Sequence, residues 1–511
     1  MAETRVAPAL PTVPAVEPGR CTNVGSLLSE AVERWPESIA ARDDEGMLNY
    51  QQLLERADRV QAWLRASGVD IGDRVIATAF SRISTVVLFW ATVRMGAVFV
   101  PYNPAAPVPV AVRLLLDAEP AVSIGLPREA SAGRREGAHD WEELEGVIAL
   151  EVPQQPQPLH HVEREDLCML LYTSGSTAAP KGVMCPHGAV RAAVEAIQER
   201  LGYRPTDVVF NRLPLAFDYG LYQLLLTARS GACVTLAGAG SDAILVNKIR
   251  KAEATVLPLL PTLCTIIRHA GRRAAPVEGV RLITNTGADL PLRVRSDLRD
   301  FFPDARIALM YGITECKRVS IMEPDGDLRR PHSVGRPLSG LDVLVNDSEG
   351  RPVPPHVTGE LTVRGPTVMA GYWRDHAETT RRFPPQESGE FPLLRTGDFG
   401  YVDNDGYIYF QGRRDDLFKH HGSRVSGLEV EHAAEQIPGV RLAALIIPTE
   451  DHEPLVLCVE GDVEPAAVLA GIAGRLERAK VPDVCVVVPQ LPSTPNGKVD
   501  KVRLREMHAL A

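Results

Sequence analysis

The chain has 511 residues, of which 45% are hydrophobic and 23% charged, and its formal net charge is -10. That length holds about two to four domains at roughly 150 residues each, and the composition is that of an ordinary globular protein. The acidic balance argues against non-specific nucleic-acid binding, because a polyanion is repelled.

In chain order, residues 1–20 read as a flexible leader, rich in Ala, Pro and Val and without the basic start and long apolar core of a signal peptide. Residues 23–68 carry amphipathic helical spacing, first through Leu27, Leu28, Ala31 and Val32, then through Leu53, Leu54, Ala57, Val60 and Leu64. Residues 73–77 read as a buried strand, 84–96 as a helix and 98–101 as the next strand. This alternation predicts an α/β fold in which mostly parallel sheets are covered by helices. The most apolar span, 86–100, is interrupted by Arg94. It is too short for a membrane helix, so no membrane partner is expected.

Residues 127–160 are polar and rich in Gly, Pro and Gln, a loop holding a short element. The alternation resumes over 205–260, and further strands are expected at 280–284 and 306–310. Residues 341–411 carry short strands with turn signals at 347–350, Pro354-Pro355 and 403–406, a smaller β-rich subdomain. A composition break near 412 leaves about 100 residues, enough for one small α+β domain. The expected division is a leader at 1–20, a large core at 21–411 and a small C-terminal lid at 412–511. Cysteines stand at 21, 168, 185, 233, 264, 316, 458 and 485, with no CxxC pair that would suggest a zinc or redox motif. Their low density fits a reducing cytoplasm.

Chemistry concentrates in Leu171-Tyr172-Thr173-Ser174-Gly175-Ser176-Thr177-Ala178-Ala179-Pro180-Lys181-Gly182. Hydroxyls and bare backbone N–H groups can wrap a polyphosphate, and Lys181 adds a point positive charge. Glycine lets the backbone come close to the oxygens. The spacing is not the Walker pattern, which ends in Gly-Lys-Ser/Thr. The structural alternative is a hydroxyl-rich surface loop.

The loop resembles the phosphate loop of the adenylate-forming ligases, the superfamily of acyl-CoA synthetases, nonribosomal peptide adenylation domains and luciferases. Ala178 stands where that family has glycine, a cost of about 1 kcal/mol if the position needs positive φ. Further matches follow in the family's order: Tyr311-Gly312-Ile313-Thr314-Glu315, Arg395-Thr396-Gly397-Asp398, the Gly-Arg…Glu-x-Glu stretch from Gly412 to Glu431, and Pro492 to Lys498. The resemblance implies ATP and Mg²⁺ as cofactors. Thr173, Ser174, Gly175, Ser176, Thr177 and Lys181 would hold phosphates, with Tyr311 and Thr314 beside the nucleotide. Glu315 is a hard oxygen ligand suited to Mg²⁺; the alternative is a solvated loop charge. Asp398 would accept from the ribose hydroxyls, or form an ordinary turn. Arg413 would reach the nucleotide from the domain junction, or pair with Asp415 or Asp416. Lys498 would contact the substrate carboxylate and the α-phosphate as the catalytic lysine, or sit solvated in a type I′ turn. The small domain would rotate between the two half-reactions, pivoting near Asp415.

The acid pocket is read from three places. In amino-acid-activating members a Phe-Asp pair sets an aspartate against the substrate ammonium, and Phe217-Asp218 stands here, followed by Tyr219 and Tyr222. The alternative is that Asp218 caps the helix that follows. Lys317 and Arg318, next to the metal glutamate, could hold a second substrate carboxylate, as in enzymes that activate aspartate-like β-amino acids for macrolactams. They could equally pair with surface acids. Thr286 and Gly287 would form another wall, Gly287 allowing close backbone approach.

The expected function is ATP-dependent activation of an amino acid, aspartate-like or β-amino in the sharpest form, and its transfer to a carrier-protein phosphopantetheine thiol supplied in trans. One alternative is an acyl-CoA synthetase, with CoA as acceptor and a simple carboxylic acid as substrate. Another is a non-catalytic nucleotide-binding module. No nucleic-acid partner is expected.

Overall fold

The structure is a computed structural model, described here for residues 23–130, 137–150, 156–173, 180–238, 244–261, 263–264, 266–267, 274–385, 391–413, 417–420, 423–448, 453–492 and 499–509. Two large sheets carry the first part of the chain. In the nine-stranded sheet, Val208–Asn211 is flanked in parallel by Cys233–Leu236 and then Ile39–Arg42 on one side. On the other side stand Val256–Leu259, Leu282–Asn285 and Arg306–Tyr311, also parallel. Short antiparallel pieces finish both edges: Met47–Asn49 at one, Ser320–Ile321 and Arg336–Pro337 at the other.

In the six-stranded sheet, Arg74–Thr78 lies between Val98–Tyr102 and Val122–Ile124, all parallel. Leu167–Thr173 continues the sheet, and Lys181–Pro186 closes that edge antiparallel to it. Helices cover these strands, which therefore read as continuous Val/Ile/Leu runs. The helix Ile83–Arg94 has all its residues buried, and Arg94 is tolerated there because Asp58 pairs with it at 3.2 Å. Among the described residues no helix is long and apolar enough to cross a membrane. This is the α/β architecture the sequence predicts.

The two helical patterns read within 23–68 are separate helices with a hairpin between them. Helix Ser26–Arg34 ends at Trp35-Pro36, a hairpin of Ile39–Arg42 and Met47–Asn49 follows, and helix Tyr50–Ala66 begins afterwards. Pro36 cannot continue a helix. Asn49 restarts one through a capping box with Gln52.

Four antiparallel strands, Asp342–Asn346, Gly359–Arg364, Leu393–Val402 and Ile408–Arg413, form the β-rich part in sequence order. Beyond them, helix Gly427–Glu435 and the strands Val440–Ile446, Val456–Gly461 and Val484–Val488 enclose a separate apolar cluster around Val430, Leu445, Leu457 and Val468. The helix meets the earlier part of the chain through polar groups. His432 Nε2 lies 2.8 Å from Asp289 Oδ2, its ring stacks on His332 at 4.9 Å, and Gln436 reaches His332. The seven described cysteines are all free and buried.

Candidate active site

Residues 174–180 separate the strand Leu167–Thr173 from the edge strand Lys181–Pro186, and the two pair antiparallel with Thr173 opposite Lys181. Ser174, Gly175, Ser176 and Thr177 lie outside the described residues, as do Asp415 and Lys498. Lys181 points back across the chain: its Nζ is 3.0 Å from Glu378 Oε1 and 5.6 Å from the centre of the Tyr372 ring. Glu378 sits on the helix His376–Arg382 and is also gripped by Arg381. Those hydrogen bonds, together with Lys181, hold its carboxyl down at about 2.

Glu315 follows the strand Arg306–Tyr311, at the edge where parallel pairing ends. The Tyr372 hydroxyl donates to its Oε1 at 2.5 Å. Arg382, the last residue of the same short helix, stands 3.9 Å from that oxygen. Tyr311 donates its hydroxyl to Asp398 Oδ2 at 2.7 Å, so two different sheets meet at this point. Burial raises the Asp398 pKa, against the hydrogen bond from Tyr311 and the charge of Arg413. Arg413, directly opposite in the strand pair, is 3.6 Å away and largely exposed. Asp415 and Asp416, its alternative partners, lie outside the described residues. Gly397 has φ +71, and a Cβ there would stand 2.7 Å from Arg382 Nη1. The glycine of Thr-Gly-Asp therefore serves both backbone and neighbour. Thr314 lies in the turn between Tyr311 and Glu315.

Asp218 opens the helix Asp218–Ser230, with Phe217 at the cap position. Its Oδ1 accepts from the Tyr219 backbone N–H at 2.8 Å, and its Oδ2 receives Arg318 Nη1 at 3.3 Å. The Asp218 carboxylate thus faces a cation 100 residues away rather than the solvent. Arg318 is buried, stacks over the Tyr219 ring at 4.9 Å and donates to the Lys317 carbonyl. Its partner Asp218 has a side chain 17% exposed. Lys317 is fully buried with φ +63; its Nζ lies 3.3 Å from Cys185 Sγ and 5.7 Å from the Tyr222 ring. Gly312 permits this turn, since a Cβ there would collide with the Lys317 carbonyl oxygen. The Tyr219 hydroxyl donates to the Thr284 carbonyl at 2.8 Å, while the buried Tyr222 hydroxyl has no partner among the described residues. Thr286 is buried, and Gly287 has φ +90 with Leu260 3.1 Å from where its Cβ would be.

Sequence reasoning missed Tyr372, Glu378 and Arg382. They lie between the recognised motifs, and what marks them is contact with Lys181 and Glu315 rather than any spacing of their own. Chemically, the assembled groups suit a polyphosphate ester next to a small polar acid. Tyr372 links Lys181 to Glu315, Tyr311 donates to the Asp398 carboxylate, and Asp218 pairs with Arg318. Among the described residues no cluster of three or more His, Cys, Asp or Glu could hold a metal by itself. Glu315 alone fits Mg²⁺, which binds through one or two carboxylates and completes its shell with phosphate oxygens and water.

A family model described as AMP-binding enzyme matches residues 28–373. The L-proline–[L-prolyl-carrier protein] ligase of Pseudomonas fluorescens is 28% identical over 93% of this chain and 97% of its own. The structure of VinN with L-aspartate is 37% identical, with a TM-score of 0.68 over 76% of this chain and 98% of that one. ATP-bound MatB from Rhodopseudomonas palustris is 28% identical, with a TM-score of 0.82 over 96% and 99%. CoA synthases and ligases are also among the matching relatives.

Proposed function

The chain belongs to the AMP-binding enzyme family and is an adenylate-forming acid–thiol ligase, and from that premise we propose that it activates an aspartate-like or β-amino acid and hands it to a carrier-protein phosphopantetheine thiol. The observation that carries this reading is the Asp218–Arg318 pair, 3.3 Å apart and largely buried. Side by side, the two complement an ammonium and a carboxylate on the same or neighbouring carbons. A substrate bearing both exchanges with the pair, each charge meeting a new counter-charge. A simple carboxylic acid would have to part them and replace neither. The likeness to VinN with L-aspartate supports this, and the L-prolyl-carrier protein ligase supports a carrier as acceptor.

In this reading the substrate's remaining carboxylate attacks the α-phosphate of ATP, releasing pyrophosphate and leaving an acyl-adenylate. A thiol then displaces AMP. Asp398 holds the ribose and Lys181 with residues 173–177 holds the phosphates. Lys498 balances charge on the attack path. Mg²⁺ at Glu315 would supply neutralising charge to the phosphate oxygens. The division at 412, with Asp415 as pivot, lets Lys498 withdraw before the thiol arrives.

Pyrophosphate exchange over a panel of aspartate, β-amino acids, proline, alanine and the deamino acids tests the substrate. Exchange with aspartate-like or β-amino acids is expected, followed by transfer to holo-carrier protein in preference to CoA. Preference for a deamino acid, with CoA as acceptor, would put an acyl-CoA synthetase in its place. Absence of exchange with every acid would leave a nucleotide-binding module.

A further inference from the structure

We propose that Arg382 is a further nucleotide-binding residue, contacting the phosphates of ATP, and that Glu378 opposes it by holding Lys181 until those phosphates arrive. This rests on reading the site as an ATP site. The connectivity of a nucleotide places its first phosphates between the ribose hydroxyls and the metal-bridged end. Arg382 stands between the groups assigned to those ends. It is 3.9 Å from Glu315 Oε1, and its Nη1 occupies the space over Gly397, next to Asp398.

Three features mark Arg382 as a cation with bonding capacity in reserve. Its side chain is 17% exposed, yet its Nε–H is buried with no hydrogen-bond partner among the described residues. Such a group costs free energy until something accepts from it. Among the described residues the acid it pairs with, Glu315 at 3.9 Å, lies beyond hydrogen-bond length and is the carboxylate read as a metal ligand. Finally, its helix is pinned in place. The Thr379 hydroxyl accepts from the Tyr372 backbone N–H at 2.9 Å, and Phe383 meets the Tyr372 ring edge-on at 5.8 Å. The helix is thereby fixed relative to Glu315, to which Tyr372 itself is bonded.

The same helix carries the opposing charge. Lys181, the loop lysine, is paired with Glu378 at 3.0 Å. In this arrangement Lys181 and Arg382 each face a protein carboxylate. A polyphosphate would draw both cations to itself, leaving Glu378 with Arg381 and Glu315 with the metal. Helix His376–Arg382 thus weighs on nucleotide affinity with both signs, through Arg382 in favour and Glu378 against.

Calorimetric titration of adenosine, AMP and Mg·ATP onto the full chain and its variants tests this. Arg382→Leu is expected to bind AMP and ATP roughly tenfold to a hundredfold more weakly while binding adenosine as before. Arg382→Lys should recover part of the loss. Glu378→Gln should bind ATP several-fold more tightly, because Lys181 is released. Equal weakening of adenosine and ATP in Arg382→Leu would make the residue merely structural and overturn the proposal. So would unchanged ATP affinity, or weaker ATP binding by Glu378→Gln. Wild-type protein that binds adenosine no less tightly than ATP would overturn the reading of the site itself, a result separate from any of these.

Discussion

Replacing Lys498 by alanine is expected to abolish adenylate formation and to spare thioester formation from a pre-made acyl-adenylate. In-line displacement at the α-phosphorus, with its crowded charge, belongs to the first step, whereas in the second the thiol attacks the acyl carbon. Quenched-flow assay of the two half-reactions reads this, and equal loss in both would remove Lys498 from the first. Asp218→Asn keeps the side-chain shape but leaves Arg318, and the ammonium of the proposed substrate, without a counter-charge. It should cost about 3–5 kcal/mol in kcat/KM for the amino acid, the range for breaking a buried pair. The deamino analogue should lose less. Arg318→Leu should cost about 2–5 kcal/mol with a dicarboxylic amino acid and move preference toward neutral ones. If Asp218 served only to order its helix, Asp218→Asn would cost about 1 kcal/mol of stability and leave substrate ranking unchanged.

Elements place these residues, and they differ in how plainly the sequence announces them. The edge hairpin under the phosphate loop is legible because an apolar run ends abruptly in hydroxyls and glycines. The strand holding Asp398 carries a harder test. Gly397→Ala puts a side chain at φ +71 and against Arg382. It should cost about 1 kcal/mol or more in stability and raise the KM for ATP. Thermal unfolding and exchange kinetics measure the two, and an unchanged KM would show that Arg382 simply swings aside. The short strands Ile39–Arg42 and Met47–Asn49 were hidden because three or four residues carry no readable period beside two helical patterns. The Asp218–Arg318 and Lys181–Glu378 pairs were hidden for another reason. Each joins distant segments, and nothing local in Asp218 or Glu378 names its partner. The residue types at these positions were readable; their mutual pairing was not.

At the scale of the whole molecule, the contact between helix Gly427–Glu435 and the rest of the chain depends on protonation. Burial opposes charge on His432, but Asp289 outweighs it and raises the histidine pKa above its usual 6.5. Asp289 in turn is held at about 2, His432 and Arg295 overcoming the cost of burial. Burial and Asp289 push Glu435 up to about 8, while burial and His432 push His332 down to about 4. The His432 contribution is complete below 6.5 and is lost as pH rises through its higher folded value. The Glu435 contribution likewise falls as pH climbs from 4.5 toward about 8. His332 works in the opposite sense, losing its contribution as pH drops from 6.5 through about 4. The contact should therefore loosen between pH 6.5 and about 8. Limited proteolysis across that range measures it, and His432→Gln and Glu435→Gln should each flatten part of the trend. A pH-independent cleavage rate in the unaltered protein would remove these groups from the contact.

The burial of every described cysteine bears on how such movement can be watched. Thiols so enclosed, several with pKa values pushed upward by burial, present little thiolate to a maleimide in the folded protein. Cysteines introduced at Leu328 and Met507, exposed by 67% and 49% on either side of the junction, would take dyes ahead of the described native thiols. Single-molecule energy transfer between the two dyes would then test whether the part of the chain beyond residue 412 moves relative to the rest during catalysis.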